Sequence, residues 1–443
     1  MENNKYIIKK CTLIPNEGSS LDEDYDIVRG APIINYYESI ESPTISMSLQ
    51  FLDVDQVISR KGIFGGEYID LEVKISGFKD FKISSKKQKL MLNSVKNVMP
   101  MNGGGGEIAT LEFVSMEAII NETARVNKKF TGNVSDIVEQ LLKKDKKGIK
   151  SKKKLKKDRS TNKYTFVGNL KRPFDTIQWL CPKSQASNKS FGFLFYETLD
   201  GYNFRSIEKL LEQDLVTEPV RYEKPDRPVE GDFRILKNNL NQTNDIGMNL
   251  RMGMYANKTI YVDIENQGAS VVDYDITQLK LKKPPKLMEG LEKHPTRLML
   301  RVNDFGVAQV GAAKSEVQPE SELAVYQNKS YIRNNLLFSQ SLRISIPLNT
   351  TLRVGLILEI KFPVKKGDGK TETGTYGTEK TNDPSGRYLI AELRHLIGRE
   401  KAETQLKLIR DVFTPDKSQI TDSGELVEAD NRHYGNTFPP GSF

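Results

Sequence analysis

The first hundred residues alternate between apolar and polar side chains. In Ile45-Ser46-Met47-Ser48-Leu49-Gln50-Phe51 every second residue is apolar, and Ile69-Asp70-Leu71-Glu72-Val73-Lys74-Ile75 repeats the pattern after Gly65-Gly66. A period of two sends successive side chains to opposite faces, so each segment reads as a strand with one buried face. Short strands separated by turn residues predict a small antiparallel barrel or sandwich over residues 1–117. Asn102 to Gly106, Asn-Gly-Gly-Gly-Gly, predicts the tip of a hairpin between two of those strands.

The period changes near Ser115. Met116 to Val126 and Val134 to Leu142 space their apolar residues for one helical face. Phe174 to Leu180 predicts another helix, with Pro173 suited to its first turn because that position needs no backbone N–H. Phe191, Phe193 and Phe195 then alternate, Asp200-Gly201 turns the chain, and Tyr202 and Phe204 return, a hairpin signal. Residues 118–210 read as a small α+β domain. Glu218 to Pro228, with three prolines, reads as a connector. Alternation resumes in Leu342 to Ile346 and from Leu352 to Phe362, then in Tyr388 to His395 and Thr404 to Val412, which predicts a second β domain with a hairpin loop at Lys365 to Asn382. Leu358-Glu359-Ile360-Lys361-Phe362 faintly echoes Leu71-Glu72-Val73-Lys74-Ile75. Residues 415–443 read as an extended tail.

Composition narrows the class. A chain of 443 residues holds two to four domains at ~150 residues each. With 37% hydrophobic and 28% charged residues it is globular in composition, and no window approaches the ~18 apolar residues of a membrane span. Met1 to Lys5 lacks the long apolar segment of a secretory signal, and Cys11 and Cys181, far apart with no CxxC pair, suit reduced thiols in a cytoplasm-type compartment.

The formal charge of +8 is concentrated in one place. Between positions 143 and 159 lie eleven basic residues, Lys143, Lys144, Lys146, Lys147, Lys150, Lys152, Lys153, Lys154, Lys156, Lys157 and Arg159, against Asp145 and Asp158. That run carries a net +9, which leaves −1 for the rest of the chain. On its own it reads as a solvated loop. Its sharper reading is a contact with a polyanion or an acidic partner; the run itself holds no aromatic residue to stack on bases, the next ones being Tyr164 and Phe166.

No catalytic constellation emerges. His294, His395 and His433 lie in separate segments without metal-ligand spacing and read as ordinary core or surface histidines. There is no Gly-x-Ser-x-Gly elbow, and Gly367-Asp368-Gly369-Lys370 lacks the phosphate-loop pattern. Catalytic residues, metal ligands and cofactor contacts are therefore all expected to be none.

Four stretches resemble the central baseplate hub of T-even-type contractile-tailed bacteriophages, especially its marine and cyanobacterial relatives. They are Asn35-Tyr36-Tyr37-Glu38-Ser39-Ile40 with Ser42-Pro43-Thr44-Ile45; Phe113 to Val126 leading into Phe130 to Val138; Arg172-Pro173-Phe174-Asp175-Thr176-Ile177-Gln178-Trp179-Leu180 with Phe195 to Ile207; and Ser385-Gly386-Arg387-Tyr388-Leu389-Ile390. The basic run and the residues after Thr414 match nothing in that family.

The resemblance implies a β-rich α+β chain with two small antiparallel tail-tube-like β-barrel domains and an α+β domain between them. The divisions are 1–117, 118–210 with the 143–159 insertion, 211–414 with an inserted subdomain at about 251–299, and the 415–443 tail. It further implies a homotrimer whose six barrels surround an axial channel, adapting a sixfold tail tube to a threefold central spike. Partners would be further copies of the chain, the spike protein, tail-tube or tube-initiator proteins and baseplate wedge proteins. Genomic DNA would pass without sequence-specific contact, and no membrane is involved. The place is the virion's tail baseplate, assembled in the host cytoplasm. Two other classes compete: a tail-associated cell-wall hydrolase of lysozyme or peptidase type, and a nucleic-acid binder acting through Lys143 to Arg159.

Overall fold

The computed structural model describes residues 6–411, apart from 77–78, 102, 104, 217–219, 222–233, 242–244, 264–267, 279–286, 303–306, 311–316, 319, 366–370, 377–384 and 399–400. The proposed tail 415–443, His433 and the Gly367 to Lys370 turn lie outside the described residues, as does most of the 218–228 connector.

The alternating segments form strands. Glu107–Ser115 buries every second side chain and pairs antiparallel with Ser46–Asp53 on one side and Leu90–Pro100 on the other. These strands belong to a 14-stranded, mainly antiparallel sheet that also takes in Gln340–Pro347, Gly386–Gly398 and Lys401–Arg410 from the far end of the chain. The two β segments meet where Gly386–Gly398 pairs with Ile33–Ser39, in register from Glu392 opposite Ser39 to Ile397 opposite Ile34. They share one hydrophobic core as well, in which Tyr36, Phe81 and Phe113 join Leu342, Leu358 and Leu393. The period of two recurs in both segments, but it carries no sign that their strands hydrogen-bond to one another.

The expected strand from Leu352 to Phe362 is shorter than its alternation suggests. Only Ile357–Lys361 is strand, while Leu352 and Val354 are buried in the preceding turn. Gly355 breaks the run at φ +81°, and a Cβ there would fall 2.0 Å from the Tyr196 hydroxyl oxygen, so the chain bends where only glycine fits.

The middle of the chain builds a second core. Helices Met116–Thr123, Val134–Glu139 and Pro173–Leu180, the last with proline in its first turn, pack with the hairpin Phe193–Thr198 and Gly201–Ser206 around Phe174, Phe195, Tyr202 and Phe204. A separate four-stranded sheet joins Lys129–Asn133 and Lys163–Val167 to Val307–Val310 and Val317–Gln318. The α+β unit thus takes in strands from more than a hundred residues downstream, which local periodicity cannot announce.

A third core lies between the three-stranded sheet Ala256–Asp263, Gly268–Asp275 and Arg297–Val302 and the helix Glu320–Leu337. That helix escapes the sequence reading because its buried positions include Gln327, Asn328, Ser330 and Arg333, which interrupt any apolar stripe. No helix among the described residues is long and apolar enough to cross a membrane.

Candidate functional site

Three groups of buried charge tie together parts of the chain that lie far apart in sequence. Lys153 Nζ lies 2.6 Å from a carboxylate oxygen of Glu117 and 2.6 Å from one of Glu197, with all three side chains no more than 9% exposed. Glu197 also accepts from the Ile45 N–H at 3.1 Å and from the Ser115 hydroxyl, while Ser151 donates to Glu117 at 2.7 Å. One lysine therefore ties the end of the first β segment to the helix and hairpin that follow. Burial pushes the Glu197 pKa up, although Lys153 opposes this. Burial also pulls the Lys153 pKa down, but the two carboxylates outweigh it and hold that pKa above its ordinary value.

Glu38 makes the second tie. Its carboxylate accepts from the Tyr36 hydroxyl at 2.7 Å, the Leu199 N–H at 2.8 Å and the Val354 N–H at 3.0 Å, and Arg353 lies 3.8 Å away. Those partners come from the first β segment, the hairpin turn and the second β segment. Burial raises its pKa, against the pull of Arg353 and the two backbone N–H groups. A third tie runs from Glu208 through buried Arg333 to Asp411, 2.8 Å from Arg333 Nη1. These carboxylates are spent on internal partners, an arrangement that fixes the relative positions of elements and presents no group to a substrate.

The basic run departs from the expected solvated loop: it is ordered and anchored at several points. Lys153 is buried as described, and Lys157 bonds Asp136 and Glu139, both at 2.8 Å. Asp145 pairs with Lys128 at 2.7 Å and Asp158 with Arg205 at 2.9 Å. Gly148 packs so closely that a Cβ would sit 2.3 Å from the Leu141 carbonyl oxygen. From Ser151 to Lys157 the side chains alternate, with Lys152, Lys154 and Lys156 exposed and Lys153, Leu155 and Lys157 turned inward around the short strand Leu155–Lys157. Lys144, Lys146, Lys147, Lys150 and Arg159 are exposed too, whereas Lys143 is half-buried. Lysines at both inward and outward positions hide this alternation from sequence, because all of them read as polar; the buried partners Glu117 and Glu197 gave no signal for the same reason.

His395 is a core residue, stacked on Tyr36 and 2.9 Å from the Thr404 hydroxyl, with its pKa pulled down to about 3 by burial and then by Arg353. His294 is exposed. Cys11 and Cys181 are both unpaired and buried, their thiols pushed up to about 12 by burial. Among the described residues no three His, Cys, Asp or Glu side chains are grouped to hold a metal ion.

No protein-family model and no curated protein matches the sequence. Solved structures do match in fold. A tail protein from Neisseria meningitidis MC58 superposes with a TM-score of 0.51 over 93% of this chain and 98% of its own, at 11% identity. The 43 kDa tail protein of prophage MuSo2 from Shewanella oneidensis gives a TM-score of 0.49 over 92% of this chain and 100% of its own, at 9% identity. The first of these gives the chain, almost end to end, the β-rich fold of a tail protein.

Proposed function

We propose that this chain is a structural component of a contractile tail, the central hub of its baseplate. The carrying observation is the fold shared with a tail protein over 93% of this chain, on which the hub-like stretches fall in the family's order. In this reading residues 1–117 and 211–414 supply two tube-like barrels, 118–210 the α+β domain, 251–299 an inserted subdomain and 415–443 a tail. Three copies close into a ring of six barrels around a channel. Such a ring needs heterologous contacts between unlike faces of neighbouring copies. The sixfold tube stacks on one side and the threefold spike on the other, wedge proteins bind around it, and DNA leaves through the channel when the spike is released.

The hub nucleates tube assembly in the host cytoplasm and catalyses nothing; any lytic step belongs to the spike. Support comes from the buried ties at Lys153, Glu38 and Arg333, which suit a rigid ring segment. The test is native mass measurement combined with images down the particle axis. A trimer with six barrels around a hole is expected, and a chain that stays monomeric even with its spike protein present would overturn the assignment. Release of soluble fragments from peptidoglycan by the pure protein would replace it with the hydrolase reading.

A further inference from the structure

Beside the ordered basic run lies a shallow, open cleft of about 410 Å³ whose wall mixes apolar and cationic side chains. Ile120, Ala124 and Leu170 supply the apolar part, and Arg125, Lys146 and Lys147 the charge. All three cations are exposed, and none has a carboxylate oxygen within 4 Å of its charged group among the described residues; Asp145, which accepts from the Lys147 backbone N–H at 2.9 Å, is paired with Lys128 at 2.7 Å. Arg125 is aimed by its own bonds to the Glu122 and Ala124 carbonyls, both at 2.8 Å.

Leu170 is the informative residue. It is 59% exposed and sits with Asn169 in a turn where both have positive φ, +48° for Asn169 and +56° for Leu170. Two consecutive left-handed residues are the geometry of an Asn-Gly turn, in which glycine relieves the strain at the second position. The turn is pinned by the Leu170 N–H to the Val126 carbonyl at 2.9 Å and the Lys171 N–H to the Gly168 carbonyl at 3.0 Å. A leucine here gains little burial and bears a strained backbone, and what it adds is an apolar side chain held over a cationic cleft.

We propose that this cleft is a docking site for an acidic segment of a partner protein, which seats one apolar side chain beside Leu170 and its carboxylates on Arg125, Lys146 and Lys147. Charge complementarity selects the acid, and the apolar wall selects protein over nucleic acid: a phosphate backbone has nothing to place against Ile120, Ala124 and Leu170, and no aromatic side chain lines the cleft for a base to stack on. The exposed Lys150, two residues beyond Gly148 in the cleft wall, adds to the positive field that steers the segment in. The inference goes beyond the hub reading and holds for any assembly in which the chain takes part.

The test uses the full chain and a synthetic acidic peptide, Asp-Glu-Glu-Leu-Glu-Asp, with its Leu-to-Ser counterpart and a short duplex DNA for comparison, in calorimetry at two salt concentrations. The acidic peptide is expected to bind, with at least about a tenfold loss for the serine version, for K146Q/K147Q and for L170G. Leu170→Gly keeps the turn, so its melting temperature should hold or rise while binding falls, which separates lost docking from lost folding. Equal binding of the two peptides, or indifference to L170G, would reduce the site to unspecific charge and overturn the proposal. DNA binding tighter than the peptide's would overturn it in favour of nucleic acid.

Discussion

Two sheets of this molecule obey opposite rules. In the first β segment Ala109, Leu111 and Phe113 of Glu107–Ser115 point into the core and are fully buried. In the sheet of Ala256–Asp263, Gly268–Asp275 and Arg297–Val302, Val271, Leu298, Leu300 and Val302 are exposed. Its inner face carries Thr259 and Tyr261, which donate to Asn328 at 2.8 Å and to Gln327 at 3.2 Å on the covering helix. Alternation establishes that a strand has two unlike faces. Which face turns inward depends on what packs against it, and here a helix with polar side chains takes the polar face.

Mutations in the two sheets should have unequal costs. The largest effect should come from the conventional core: Phe113→Ala should cost about 3–5 kcal/mol in urea unfolding. A comparable loss, about 3–5 kcal/mol at neutral pH, is expected for Lys153→Gln, which leaves Glu117 and Glu197 buried without their cation. That second deficit should shrink on acidification. Glu197 already has a folded-state pKa raised by burial, so a folded protein lacking Lys153 takes up protons more readily than the unfolded chain, and falling pH favours it. Thermal melts of both proteins across pH would show this, and a deficit independent of pH would contradict the account.

Smaller effects lie in the inverted sheet and on the surface. Thr259→Val removes the donor to the Asn328 side chain and should cost about 1–3 kcal/mol, although valine is the more apolar residue; a stabilised variant would mean that the polar interior is dispensable. Glu139, held at about 2 by Lys157 and Lys144, contributes stability that is complete above its unfolded value near 4.5 and is lost as pH falls toward 2. Because this side chain is partly exposed and its pairs are screened by solvent, the contribution should be under about 1 kcal/mol, read as the difference between wild type and Glu139→Gln melts above and below that window. Leu300→Ser, at a position 74% exposed, should change stability by no more than about 0.5 kcal/mol, the reverse of what its place in a strand pattern suggests.

Legibility followed the same division. Pro173, the Phe193 to Phe204 hairpin and the strands around Ile45 and Leu71 could be read directly, because local spacing and turn chemistry specify them. The Glu320–Leu337 helix could not, since Gln327, Asn328 and Arg333 occupy its buried positions. Nor could the bend at Gly355, whose cause is Tyr196 from another part of the chain, or the inward turn of Lys153 within a run of identical lysines. Of the cleft, sequence marked Lys146 and Lys147 but neither Arg125 nor the strained Leu170, because nothing local signals that Asn169-Leu170 turns where Asn-Gly would be expected.

Spacing and composition alone establish a β-rich chain with a helical middle, a net positive charge concentrated in seventeen residues, and strands whose faces differ. Those properties are local: they follow from spacing, turn residues and composition. Long-range packing is what makes two distant β segments share one sheet, sets which face of each strand is inside, and selects which lysines of the basic run are paired within the fold. The reason is that a ladder between Ile33–Ser39 and Gly386–Gly398, or a salt bridge among Glu117, Lys153 and Glu197, depends on partners separated along the chain and brought together by packing.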